Sequence, residues 1–156
     1  MEEVQQALSG TRLKAYWYSA ADGSKQFAGV WFDSGLNLDC YSGATDPSGK
    51  LRCLPPMGSA GVYFSDAGCT AALVYLPKPN SACGAPPNVP PTFVRIFDST
   101  GCQTLNRVGT PFTGTVYSGT PTSCRADSTA PNYYTFNSIG AIVDPTIFAE
   151  ISFAHD

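Results

Sequence analysis

A chain of 156 residues is long enough for one domain with a substantial core. Charged residues make up 13% of it, about half the usual share for soluble proteins, and the net charge of −3 speaks against a nucleic-acid partner. The chain is 43% hydrophobic and 12% aromatic, so it is no disordered polymer, yet its longest apolar run, Ala71-Ala72-Leu73-Val74-Tyr75-Leu76, is too short for a transmembrane helix.

In chain order, residues 1–10 read as a tail or a short helical turn. Val4, Ala7 and Leu8 share one face there, and Gly10 stops it. Residues 11–156 read as a single β-rich repeat domain. Arg12-Leu13-Lys14-Ala15-Tyr16-Trp17-Tyr18 is a strand, Ala21-Asp22-Gly23-Ser24 a hairpin turn, and 27–32 the return strand. Further strands are expected at 61–64, 73–76, 93–97, 104–108, 115–117, 133–136, 140–143 and 147–153. No helical periodicity exceeds two turns. The stretch Ala85-Pro86-Pro87-Asn88-Val89-Pro90-Pro91 reads as a surface crossing in polyproline form.

Two internal repeats are readable. Tyr63-Phe64-Ser65-Asp66-Ala67-Gly68-Cys69 returns as Ile96-Phe97-Asp98-Ser99-Thr100-Gly101-Cys102, with a looser copy at Trp31-Phe32-Asp33-Ser34-Gly35. Thr104-Leu105-Asn106-Arg107-Val108-Gly109 returns as Thr135-Phe136-Asn137-Ser138-Ile139-Gly140. A period of about 32 residues suits three short strands, shorter than a four-stranded propeller blade. The expected fold is therefore all-β, either a small propeller-like ring or stacked meanders. Pairing of the strand around Tyr16 with the one at 147–153 would close it and remove free edges.

Six cysteines, Cys40, Cys53, Cys69, Cys83, Cys102 and Cys124, contain no Cys-x-x-Cys. Structural zinc sites draw ligand pairs from tight turns, so three disulfides are the economical reading, and they imply an oxidising compartment. The sequential pairing Cys40–Cys53, Cys69–Cys83, Cys102–Cys124 is the expected one of the possible connectivities. Each such loop is worth about 3 kcal/mol in chain entropy. Met1-Glu2-Glu3-Val4-Gln5-Gln6 has neither basic nor apolar export-signal regions, as expected of a mature fragment with an added start Met. No Asn-x-Ser/Thr sequon occurs.

Several stretches together resemble a β-rich domain of exported proteins, often lipoproteins, of myxobacteria and their relatives. They are Ala7-Leu8-Ser9-Gly10-Thr11-Arg12-Leu13-Lys14-Ala15, Asp22-Gly23-Ser24-Lys25-Gln26-Phe27, Gly49-Lys50-Leu51-Arg52-Cys53-Leu54-Pro55, Tyr63 to Thr70 and Gly140 to Phe148. The resemblance implies export and a β-rich fold. It carries no activity, so no site residue follows from it.

Catalytic signatures are lacking. The one histidine, His155, lies in the last two residues, and Ser-x-x-Lys, Gly-x-Ser-x-Gly and His-Glu-x-x-His are absent. Paired carboxylates remain as a distant hydrolase option, because Asp33, Asp66 and Asp98 all follow aromatic strand ends. Their setting among Ser, Asp and Gly fits turn capping better. The EF-hand spacing is missing, and Asp22-Gly23 or Asn37-Leu38-Asp39 are ordinary turn residues; no metal or cofactor is expected.

The aromatic clusters Tyr16-Trp17-Tyr18, Trp31-Phe32, Tyr63-Phe64 and Tyr133-Tyr134 point elsewhere. Successive strand side chains face opposite ways, so one ring of each pair can be core while the other faces outward as a sugar platform. The candidate ligand-binding residues are Trp17, Trp31, Tyr63, Asp33, Asp66 and Asp98. The expectation is a non-catalytic, lectin-like recognition domain, secreted or held on the extracellular side of a bacterial envelope, whose partner is a glycan or a surface protein. The alternative is a self-associating structural or adhesin subunit.

Overall fold

Short polar turns set the strand pattern. A computed structural model describes residues 9–79, 89–98 and 100–152. The helical turn expected before Ser9, residues 85–88 of the proline-rich stretch, Cys83 and His155 lie outside them. The chain is nearly all β, 53% strand and 5% helix. By backbone contacts it divides into two compact units, Met1–Pro56 with Asp144–Asp156, and Met57–Val143.

The first unit is an antiparallel meander of β1 (Leu13–Ser19), β2 (Lys25–Asp33), β3 (Leu38–Thr45) and β4 (Leu51–Leu54), in that order. The β1–β2 turn falls where expected: the Gly23 N–H donates to the Ala20 carbonyl, and Asp22 accepts from the Ser24 N–H and hydroxyl. Between β3 and β4, Asp46-Pro47-Ser48-Gly49 makes a turn with the same hydrogen-bonding frame. Gly49 sits at φ +80°, left-handed backbone that glycine enters without a Cβ clash.

The segment expected to pair with β1 joins β4 instead. Asp144 caps a 3-10 turn, Pro145–Ile147, and the chain then runs beside β4. The Cys53 N–H donates to the Ala149 carbonyl at 2.9 Å and the Ile151 N–H to the Leu51 carbonyl at 3.0 Å, with Arg52 bridged to Glu150. Two arginines dictate this route. Arg12 donates to the Ile147 carbonyl and Arg52 to the Phe148 carbonyl, so the returning chain is held over β4 and β1 stays an outer strand. The expected bridge Cys40–Cys53 joins β3 to β4 and packs with Ala149, Leu13 and Trp31.

The second unit is built on a five-stranded barrel. Its strands are β5 (Met57–Phe64), β6 (Ala72–Pro77), β7 (Phe93–Phe97), β8 (Gln103–Phe112) and β11 (Tyr134–Ile142), ordered β5-β6-β11-β8-β7. A parallel pairing of β7 with β5, Met57 opposite Phe93, closes the ring. Between β8 and β11 the chain makes β9 (Tyr117–Ser118), β10 (Arg125–Ala126) and a one-turn helix, α1 (Ala130–Tyr133). Val116 and Ala130 from this excursion pack on Leu73 and Phe136, ringed by Tyr63, Tyr75, Phe112 and Tyr134. Each large side chain buried this way stabilises by about 2 kcal/mol. Strands expected separately at 133–136 and 140–143 are the single β11.

The second disulfide among the described residues corrects the sequential pairing: Cys69 bonds Cys124, not Cys83, and Cys102 is a free, exposed thiol. Strand order explains it. Tyr63 on β5 lies opposite Ser118 on β9, and Ser118 lies opposite Arg125 on β10. Cys124, just before β10, is thereby carried to the turn that follows β5. The loop of 55 residues is worth about 4 kcal/mol in chain entropy.

The 31-residue recurrence falls on two facing strands. Asn106 on β8 donates to the Gly140 carbonyl on β11 at 3.0 Å, and Asn137 on β11 donates to the Gly109 carbonyl on β8 at 3.1 Å. Corresponding residues thus grip each other reciprocally across an approximate local two-fold axis. Both amides are buried, so each bond also spares an otherwise unsatisfied donor.

Candidate ligand cleft

In the first unit, β1 and β2 carry a row of three rings. Trp17 lies opposite Phe27, and Ala15 opposite Trp31, which puts all four on one face of the sheet. Three residues of β2, Ala28, Gly29 and Val30, stand against the single Tyr16, and Gly29 takes φ +77° to absorb the excess. Four residues of regular strand span about 13 Å. The bulge shortens that span, and the Phe27 and Trp31 ring centroids are 5.1 Å apart. Trp17 meets Phe27 edge-on at 5.9 Å and is 39% exposed.

The row runs into an open cleft of about 760 Å³, a size typical of small-molecule sites. Leu13, Phe27, Trp31, Ala149 and Ile151 supply its apolar wall. Thr11, Ser42 and Ser152 add hydroxyls, and Arg12 and Glu150 add one charge of each sign.

Asp33 fixes Arg12. Its carboxylate accepts Nε at 2.8 Å and Nη2 at 2.7 Å, and Oδ1 also takes the Gly35 N–H. Burial would raise the Asp33 pKa, but the Arg12 and Gly35 hydrogen bonds outweigh it and hold the carboxyl below its usual range. The Arg12 guanidinium is in turn raised, chiefly by its hydrogen bond to Asp33. Asp33 is 1% exposed and fully used, so it orients the cleft's cation and does not itself face a ligand.

The other expected site residues separate. Trp31 lines the cleft and Trp17 extends its ring row. Tyr63 belongs to the second unit, where it packs on Tyr75, Tyr134 and Phe136. Asp66 and Asp98 cap turns there: Asp66 accepts from the Thr70 and Ala71 N–H groups, Asp98 from those of Thr100 and Cys102. Hydrogen bonds hold both carboxyls below the usual range, chiefly the Ala71 N–H at Asp66 and the Thr100 hydroxyl at Asp98. Asp66 and Asp98 share no site with the rings of the cleft row.

No sequence pattern marks Arg12, Phe27 or Glu150 as cleft residues. Arg12 finds Asp33 across 21 residues, and no local pattern announces that. Gly29, isolated within a strand, was the available sign of the bulge.

Among the described residues no group of acidic, cysteine or histidine side chains is arranged to hold a metal ion, and no helix is long and apolar enough to cross a membrane. No protein-family model matches the chain, and neither a curated protein nor a solved structure matches it.

Proposed function

We propose that the protein is a non-catalytic recognition domain that binds carbohydrate through the cleft of the first unit. One observation carries the reading: the ring row Trp17–Phe27–Trp31 enters a cleft rimmed by hydroxyls. Aromatic faces pack on the C–H surface of a pyranose, and hydroxyl, guanidinium and carboxylate groups read its hydroxyls. Asp33, Asp66 and Asp98 are each consumed by Arg12 or by their own turns, which favours recognition over carboxylate hydrolysis.

Export to the extracellular side of a bacterial envelope fits the same reading. Two disulfides are of the kind that persists in oxidising compartments. The resemblance to exported, often lipid-anchored domains points the same way.

A glycan array, followed by titration of tryptophan emission, tests the proposal. Trp31→Ala should weaken binding about tenfold or more, and Trp17→Ala less. A folded Trp31→Ala variant that binds as the wild type overturns it.

A second reading, self-association, has its own support. Tyr16, Tyr18 and Tyr41 are exposed, and β1 is an outer strand. It requires a sedimentation coefficient that rises with protein concentration while no saccharide binds.

A further inference from the structure

The charges around the cleft say which saccharides it accepts, granted that it binds saccharides. Two ionised side chains line it, Arg12 and Glu150. Arg12 is held in a two-pronged pair by Asp33. Glu150 lies 3.2 Å from Lys50 and 3.6 Å from Arg52, and Arg52 is matched by Asp46 at 2.6 Å. Among the described residues these ion pairs join three cations to three anions, and each charged side chain lining the cleft already has an opposite partner within 4 Å; Lys14 donates instead to the Gly10 carbonyl at 2.6 Å.

A carboxylated or sulfated sugar entering this cleft would lose hydration and meet a guanidinium already neutralised by Asp33. An amino sugar would meet a carboxylate shared between Lys50 and Arg52. Either would give up solvation without gaining a free counter-charge. Uncharged hydroxyls face no such loss. They can share the remaining hydrogen-bonding capacity of Arg12, Glu150, Thr11, Ser42 and Ser152 while the ring lies on Trp31 and Phe27.

We infer that the cleft is specific for neutral pyranosides and discriminates against acidic and amino sugars. This rests on the carbohydrate reading above, and the experiment separates the two. Tryptophan emission of the full chain is titrated with cellotetraose, maltotetraose and mannotetraose as neutral probes. Trigalacturonate and 3′-sialyllactose serve as acidic probes, and chitosan tetramer as the amino probe. Each is run at about 50 mM and about 500 mM NaCl, conditions that differ strongly in electrostatic screening.

The expected result is binding of at least one neutral probe, lost in Trp31→Ala, with an affinity that changes less than about twofold with salt. Acidic and amino probes should bind at least about tenfold more weakly. An acidic or amino probe that binds most tightly, weakens with salt and is lost in Trp31→Ala overturns the neutrality inference and leaves the recognition reading standing. No response to any of the six probes overturns both.

Discussion

Asp46→Asn probes how the first unit is held together. Asp46 is 1% exposed. Its Oδ2 accepts from Arg52 Nε at 2.6 Å, and its Oδ1 accepts from the Ser48 N–H, the Ser48 hydroxyl and the Lys50 N–H. Asparagine can keep the Oδ1 bonds through its carbonyl but turns an NH2 group toward Arg52. Arg52, itself 5% exposed, is left with the Phe148 carbonyl at 3.1 Å and Glu150 at 3.6 Å. Removing one partner of a buried pair costs about 3–5 kcal/mol. The residual Glu150 contact places the expected loss at about 3 kcal/mol. For a chain of this size that lowers Tm by about 10 °C.

The same pair predicts an acid limb. Burial alone would raise the Asp46 pKa; the bonds from Arg52, Ser48 and Lys50 outweigh it and hold the carboxyl at about 2, against 3.8 unperturbed. A carboxyl depressed by folding contributes stability that is complete above its unfolded pKa and lost as pH falls through the folded one. The contribution is about 2 kcal/mol, disappearing between about pH 4 and pH 2. Both tryptophans, Trp17 and Trp31, lie in the first unit, so their emission during thermal or urea unfolding reads that unit alone. The wild-type advantage over Asp46→Asn should shrink on acidification. Asp46→Asn combined with Arg52→Met should recover part of the loss. A Tm decrease below about 3 °C, or a wild-type advantage constant down to pH 2, would refute the reasoning.

Other expectations follow from the same geometry. Asn106→Leu and Asn137→Leu should each cost about 1–3 kcal/mol and speed hydrogen exchange at the Val108 and Ile139 amides; unchanged exchange would count against the reciprocal amide bonds. Gly29→Val forces a side chain onto left-handed backbone at a cost of about 1–2 kcal/mol. It should alter near-ultraviolet dichroism as Phe27 and Trp31 separate, and an unaltered spectrum would argue against the bulge as the cause of their contact. Mass mapping of unreduced protein should find the bridges Cys40–Cys53 and Cys69–Cys124. A Cys69–Cys83 peptide would contradict the strand order of the second unit, and Cys102 should be recovered as a free thiol.

The parts of this fold readable in advance were those written locally. Asp22-Gly23-Ser24 and the alternation in Leu13–Ser19 are contiguous patterns, and both fall where expected. β3 carries no strand signal because Leu38-Asp39-Cys40-Tyr41-Ser42-Gly43-Ala44-Thr45 mixes apolar and polar residues without sustained alternation and bears a glycine. It becomes a strand through pairing on both sides and through the Cys40 bridge. β4 sets a charged residue, Arg52, among apolar ones, and that arginine is buried there only through its pairing with Asp46. The aspartates illustrate the opposite limit. Asp33, Asp66 and Asp98 look alike in sequence, yet Asp33 anchors an arginine 21 residues away while the other two serve their own loops. Trp31 was legible as a candidate ring; the guanidinium beside it was not, because its position depends on a partner that folding brings near.

The path of Ile147–Ile151 along β4 has a consequence for biosynthesis. The amino-terminal meander leaves the ribosome first, yet the carbonyl that satisfies Arg52 is translated 96 residues later. Until then its guanidinium has no main-chain acceptor from that segment and its last strand presents a bare edge. The barrel, encoded without interruption by 57–143, is the portion that can mature while synthesis continues. In this chain the barrel's strands are therefore all present before the last segment that the meander pairs with, although the meander is the first of the two to begin.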